Sequence, residues 1–195
     1  MPGYSSSTSG SNSNTNNNLR QHEADFRILS EDLLYSCKNN NNQKANDVLN
    51  YKIQFISNVS LHLDYNKVDT DSGNNALIFA CMNEMPVVEL LLPICSTIRN
   101  PRIFDINLQN NSNMTALMII CMNNLTGNLI DIVSIRNLDL NLQDKDGNSA
   151  LMIACDYENP RCVQYLLERR SADLNVNLKN SDGDSAIILA CKQNS

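Results

Sequence analysis

The chain has 195 residues, 42% of them hydrophobic, with a net charge of −6 and a pI near 4.8. This length allows one sizeable core or a stack of small units, and the acidic balance argues against nucleic acid as a partner, because phosphate binding rests on clustered Lys and Arg. No apolar run approaches the ~20 residues that span a bilayer and no charged-then-apolar leader opens the chain, so an intracellular, cytoplasmic location away from membrane is expected, with the seven cysteines as free thiols.

Residues 1–24 open with SSSTSGSNSNTNNN, too poor in apolar surface to offset the entropy of ordering, and are expected to form a disordered tail. Between 25 and 60 the spacing of Phe26, Ile28, Leu29, Leu33, Leu34 and Cys37 is helical. After the polar KNNNNQ, so is that of Ala45, Val48, Leu49, Ile53 and Ile56. The pair reads as a divergent first member of the series that follows. Asparagine fills roughly one position in six, an excess that often reflects genome base composition.

From Asp69 the series is explicit. ALIFAC (76–81), ALMIIC (116–121), ALMIAC (150–155) and AIILAC (186–191) share one shape, and their final cysteines are spaced by 40, 34 and 36 residues; Cys37 precedes Cys81 by a looser 44. A period in the mid-thirties marks a stacked helical repeat. Gly73, Asn113, Gly147 and Gly183 hold equivalent places in a polar turn, where a positive φ explains both the glycines and the one asparagine. Ser149 is placed to cap the helix that starts at Ala150. Asn159 and Pro160 supply an N-cap and first residue for a second helix, CVQYLLE. Pro86 has that role before VVELLL, and Pro93 is expected to end that helix. Each unit is thus two short antiparallel helices and a projecting turn.

This pattern, closest in DKDGNSALMIAC through CVQYLLERRSADLN, resembles the ankyrin repeat from about Asp69 to Ser195. The resemblance implies an all-α, ankyrin-type helix-turn-helix solenoid with units over 69–104 (with a long loop), 105–138, 139–174 and an incomplete 175–195, preceded by a capping pair at 25–60. The sequence departs from the family where Ala76, Ala116, Ala150 and Ala186 replace its proline, and where Ile78, Met118, Met152 and Ile188 replace its histidine. By position in the family, Cys81, Cys121, Cys155 and Cys191 lie on the inner helices where units press together, as small apolar filler. Helices packed ~8–10 Å apart keep equivalent cysteines beyond disulfide reach. Cys95 and Cys162 fall outside that row, with Cys95 expected to be exposed in the loop after Pro93.

No catalytic, metal or cofactor site is expected. Zinc would want Cys or His pairs two to four residues apart, and His22 and His62 lie far from any such pair. DKDGN and NSDGD imitate a calcium loop, but the register puts Leu142 or Leu178 at the first ligand and Ile153 or Leu189 at the bidentate one. What remains is non-enzymatic binding of a protein partner through the concave face and turn tips, which the family places at Asp71, Asn74, Met82, Asn111, Met114, Met122, Lys145, Asp146, Asn148, Asp156, Tyr157, Asp182 and Asp184. Methionine, tyrosine and acid suit a partner with an apolar or basic patch. For any one position the alternative is plain packing or a solvated turn. The last unit stops at KQNS after one helix, which leaves Ile187, Ile188 and Leu189 without the cover that the earlier units have. The competing accounts are a truncated frame, a tolerated frayed end, or assembly through this open end, with self-association as one form.

Overall fold

The computed structural model describes residues 11–55, 63–98, 100–169 and 172–193, with side chains described from residue 24 onward and not over 51–55. Among the described residues there are nine helices and no strand: α1 Ser11–Lys38, α2 Asn42–Phe55, α3 Ala76–Met82, α4 Val88–Thr97, α5 Ala116–Met122, α6 Thr126–Val133, α7 Ala150–Asp156, α8 Pro160–Arg169 and α9 Ala186–Gln193. Inner helices α3, α5, α7 and α9 pack in series, with α1 against α3. Outer helices α4, α6 and α8 form a second row, each also against its own inner helix. The result is the expected all-α repeat stack. Helix α1 starts within the Ser/Asn-rich stretch expected to form a tail; residues 1–10 of that stretch lie outside the described residues. Among the described side chains, the apolar residues that dock α1 begin at Phe26, with Leu33 and Cys37 fully buried.

Seven-residue helices such as α3, α5 and α7 are too short to hold in water alone, so their stability comes from caps and packing. The caps are Asn75, Thr115 and Ser149, whose side-chain oxygens accept from the backbone N of Ile78, Met118 and Met152 at 2.9, 3.3 and 3.4 Å. At Met118, where the family favours histidine, the sulfur accepts from the Thr115 backbone N at 3.5 Å, restoring a reciprocal cap. All five residues from Leu117 to Cys121 are at most 1% exposed, so α5 is hydrophobic all round because units cover it from both sides.

Helix α4 differs from expectation. Pro93 lies inside it, and the helix runs on to Thr97. The proline ring is on the exposed side, where the missing N–H leaves only a solvent-facing carbonyl unpaired, and Ser96 Oγ and Thr97 Oγ1 donate to the Pro93 carbonyl at 2.8 and 2.9 Å. Continuing the helix carries Cys95 into the core, 4% exposed, instead of leaving it in a loop. The long segment after α4 is anchored by Phe104, which stacks on Tyr65 with ring centroids 4.8 Å apart, both rings buried.

Candidate interaction surface

The projecting turns are rigid. Gly73, Asn113, Gly147 and Gly183 all hold positive φ, from 57° to 82°. Within the last three turns a side-chain oxygen gathers backbone N–H groups: Asn110 Oδ1 takes Ser112 and Met114, Asp144 Oδ1 takes Asp146 and Asn148, and Asn180 Oδ1 takes Asp182 and Asp184. Neighbouring tips are tied backbone to backbone, Asn111 N to Ser72 O at 2.9 Å, Lys145 N to Ser112 O at 3.1 Å and Ser181 N to Asp146 O at 2.8 Å. Asp69 braces the first turn against α1. Its hydrogen bond from Lys38 at 2.6 Å holds the carboxyl down at about 2.

The residues expected at the surface fall into two groups. Asp71, Met82, Asn111, Lys145, Asp146, Asp156, Tyr157 and Asp182 are exposed, with Met82 at 45% and Tyr157 at 53%, while Met114, Met122 and Asn148 are half-buried. Asn74 and Asp184 are buried instead. Asn74 donates to Met82 Sδ at 3.5 Å and accepts from Asn110 at 2.7 Å; Asp184 pairs with Lys192, whose ammonium it holds above its usual pKa. Their turns fold against the helix edge, so these two carboxamide and carboxylate groups are used inside the surface. The first two units carry the methionines, Met82 exposed and Met114 and Met122 half-buried, beside the exposed Asp71, and the last two carry the exposed acids Asp146, Asp156 and Asp182.

A family model described as ankyrin repeats, in three copies, matches residues 94–177 and again 127–195, together just over half the chain. The chain belongs to the ankyrin-repeat family. No match was found among curated proteins. Ankyrin repeats generally act as protein–protein interaction modules, through the extended surface that stacking creates.

The ankyrin cysteines are free thiols. Burial pushes Cys37 and Cys95 up to about 12 and raises Cys81 further. Cys121 is raised by the hydrogen bond it donates to Cys162 and by complete enclosure. A thiol held neutral is a poor nucleophile and a poor metal ligand, and among the described residues no cluster of His, Cys, Asp and Glu could hold a metal. The row of core thiols does not run to the end as expected: Cys155 is half-buried and Cys191 exposed, because no further outer helix covers them among the described residues. No helix among the described residues is long and apolar enough to cross a membrane.

The asparagine excess, by contrast, has a structural use. Asn66, Asn107 and Asn141 each use both ends of the amide, one holding the close of a unit and the other the start of the next. Their Nδ2 groups donate to the carbonyls of Pro101, Asn137 and Asp173, all at 2.7 Å, and their Oδ1 atoms accept from the backbone N of Asp105, Asp139 and Asn175 at 2.6–2.8 Å. A second row, Asn83, Asn123 and Asn159, donates back to the carbonyls of Cys37, Cys81 and Cys121. Asn159 therefore serves the preceding inner helix with its amide, while its backbone carbonyl opens α8. The signal for the first row was present in the sequence as Asp64-x-Asn66, Asp105-x-Asn107 and Asp139-x-Asn141, recurring with the repeat.

Proposed function

We propose that this ankyrin stack is a non-enzymatic protein-binding module, an adaptor or scaffold whose concave face and turn tips hold a protein partner. The observation that carries the reading is the rigid, exposed surface itself. Its turns are fixed by internal hydrogen bonds, so a partner meets a surface ordered in advance and little conformational entropy is lost on binding. The helix pair of residues 25–60, of which 56–60 lie outside the described residues, acts as the N-terminal capping pair of that surface. The partner presents an apolar segment to Met82, Met114 and Met122, where adaptable thioethers favour varied side chains, and basic residues to Asp146, Asp156 and Asp182. Tyr157, large and exposed beside Asp156, is the expected hot spot.

The test is affinity capture with the full chain and with a Met82→Ala, Asp146→Ala, Tyr157→Ala variant, followed by calorimetry on the purified captured protein. These side chains are exposed, so circular dichroism of the variant should be unchanged. Binding at least ~10-fold weaker in the variant, and weakened by added salt in the wild type, is expected. Equal affinity of both chains for the same protein rejects the concave-face reading.

A further inference from the structure

The neighbouring outer helices α6 and α8 leave a groove between them. It measures about 410 Å³ and is lined by Gly127 and Ile130 of α6 and by Arg161, Gln164, Tyr165 and Arg169 of α8, among others. Arg161, Tyr165 and Arg169 follow at intervals of four, so they share one face of α8, and at ~1.5 Å per residue the two arginines stand ~12 Å apart along its axis. Both arginines are exposed, Tyr165 between them is half-buried, and Ile130 is 47% exposed on the α6 wall. Neither guanidinium has a hydrogen bond or ion pair among the described residues, and Glu168, an acid in the lining, accepts instead from Gln164 Nε2 at 2.8 Å. Gly127 brings no side chain, and a Cβ there would meet nothing within 4 Å, so the α6 wall is open at that point. The first turns of both helices lack acids, which leaves the positive ends of their dipoles unopposed near Gly127 and Arg161. One repeat earlier the places of Arg161, Tyr165 and Arg169 are held by Gly127, Asp131 and Ile135, so the basic lining belongs to this junction and is not a property of the repeat.

We propose that this groove is a docking site for an acidic segment of a partner protein, an extended stretch with two carboxylates set apart by the arginine spacing and one aromatic side chain between them. Charge complementarity selects the occupant. Each carboxylate pairs with one guanidinium, whose planar fork takes both oxygens, and the central ring lies against Tyr165 and Ile130. An extended chain advances ~3.3 Å per residue, so the two acids are about four residues apart. Glu168, one turn from Tyr165, repels acid at the centre of the segment, which is why the apolar side chain belongs there. The site lies on the outer-helix row and uses none of the methionines or acids assigned to the concave face. In a chain of net charge −6 it gives the stack a second surface with the opposite preference, for an acidic partner where the concave face suits a basic one.

The probe is the synthetic peptide SGEAFAEGS, blocked at both ends, titrated into the isotopically labelled full chain and followed by amide NMR. Saturable shifts centred on Gly127, Ile130 and Tyr165 are expected, and added salt should weaken them. The matched peptide SGQAFAQGS should bind at least ~10-fold more weakly to the same chain. The acidic peptide should lose as much against an Arg161→Ala, Arg169→Ala variant, whose thermal melt should match wild type because both side chains are exposed. The Met82, Asp146, Tyr157 variant should bind the peptide like wild type, so failure here and failure of the concave-face reading are distinguishable. Absence of shifts at those amides at millimolar peptide overturns the proposal, as does equal binding by the glutamine peptide or by the arginine variant. So does a concentration-dependent dimer that the arginine variant abolishes, which assigns the groove to a second copy of this chain.

Discussion

Glu84 and Glu158 hold φ of 52° and 53° just after α3 and α7, and Asn40 and Asn124 hold the same conformation at the equivalent points after α1 and α5. Asparagine tolerates this region better than glutamate, which gains nothing there from its longer side chain. Glu84→Gly and Glu158→Gly should therefore each stabilise the fold by ~1 kcal/mol, or about 2–4 °C in Tm for a chain of this size, read by thermal melts. The buried thiols predict an alkaline weakness. Cys37 and Cys95 titrate at about 12 when folded against an ordinary 9.0, so above 9.0 the unfolded chain binds fewer protons than the folded one. Stability is full below that value and falls as pH climbs toward 12, by at most ~1.4 kcal/mol per pH unit per thiol. Urea midpoints should drop between pH about 8 and about 10, and less so in a Cys37→Ala, Cys95→Ala variant. The conformation of Gly73, Asn113, Gly147 and Gly183 was legible in the sequence, because a positive φ restricts residue type locally. The positive φ of the glutamates was not, since nothing in their chemistry asks for it.

At the scale of elements, the helices from Phe26 onward are where the 3.6-residue spacing put them, but α4 shows where local rules yield to packing. A proline ends a helix only when its freed carbonyl or its ring has no room, and at an exposed position with Leu91, Leu92 and Cys95 buried on the other face the packing carries α4 past it. The links between elements were less legible than the elements. Asn107→Ala or Asn141→Ala removes two hydrogen bonds, one to the close of its own unit and one across the boundary to the next, and each should cost ~1–3 kcal/mol in chemical denaturation. Asn177, in the same register one unit on and exposed, provides the comparison: Asn177→Ala should stay within ~0.5 kcal/mol. Equal effects at all three positions would mean that the amide rows contribute nothing to holding the units together.

Over the described residues, the helix packing joins each unit to its neighbours, so stability is the sum of unit and interface contributions and declines toward α9. Leu151 and Met152 of α7 are 3% and 1% exposed, whereas Ile187 and Ile188 at the same places in α9 are 69% and 41% exposed. Native-state hydrogen exchange should find α5 and α7 slowest and α9 fastest of the inner helices; uniform protection would mean that the stack opens only as one unit. The sequence by itself determined the helix pairs, their mid-thirties period, the Ser149 cap and the turn conformation, because each follows from residues within one or two turns of one another. The tertiary structure alone decided that Asn74 and Asp184 turn inward while Tyr157 stays out, that Cys95 is sealed in and Cys191 is not, and that asparagine bridges the units. Those outcomes depend on hydrogen bonds and cover between adjacent units and between turn and helix edge, and so on which surfaces stacking brings together.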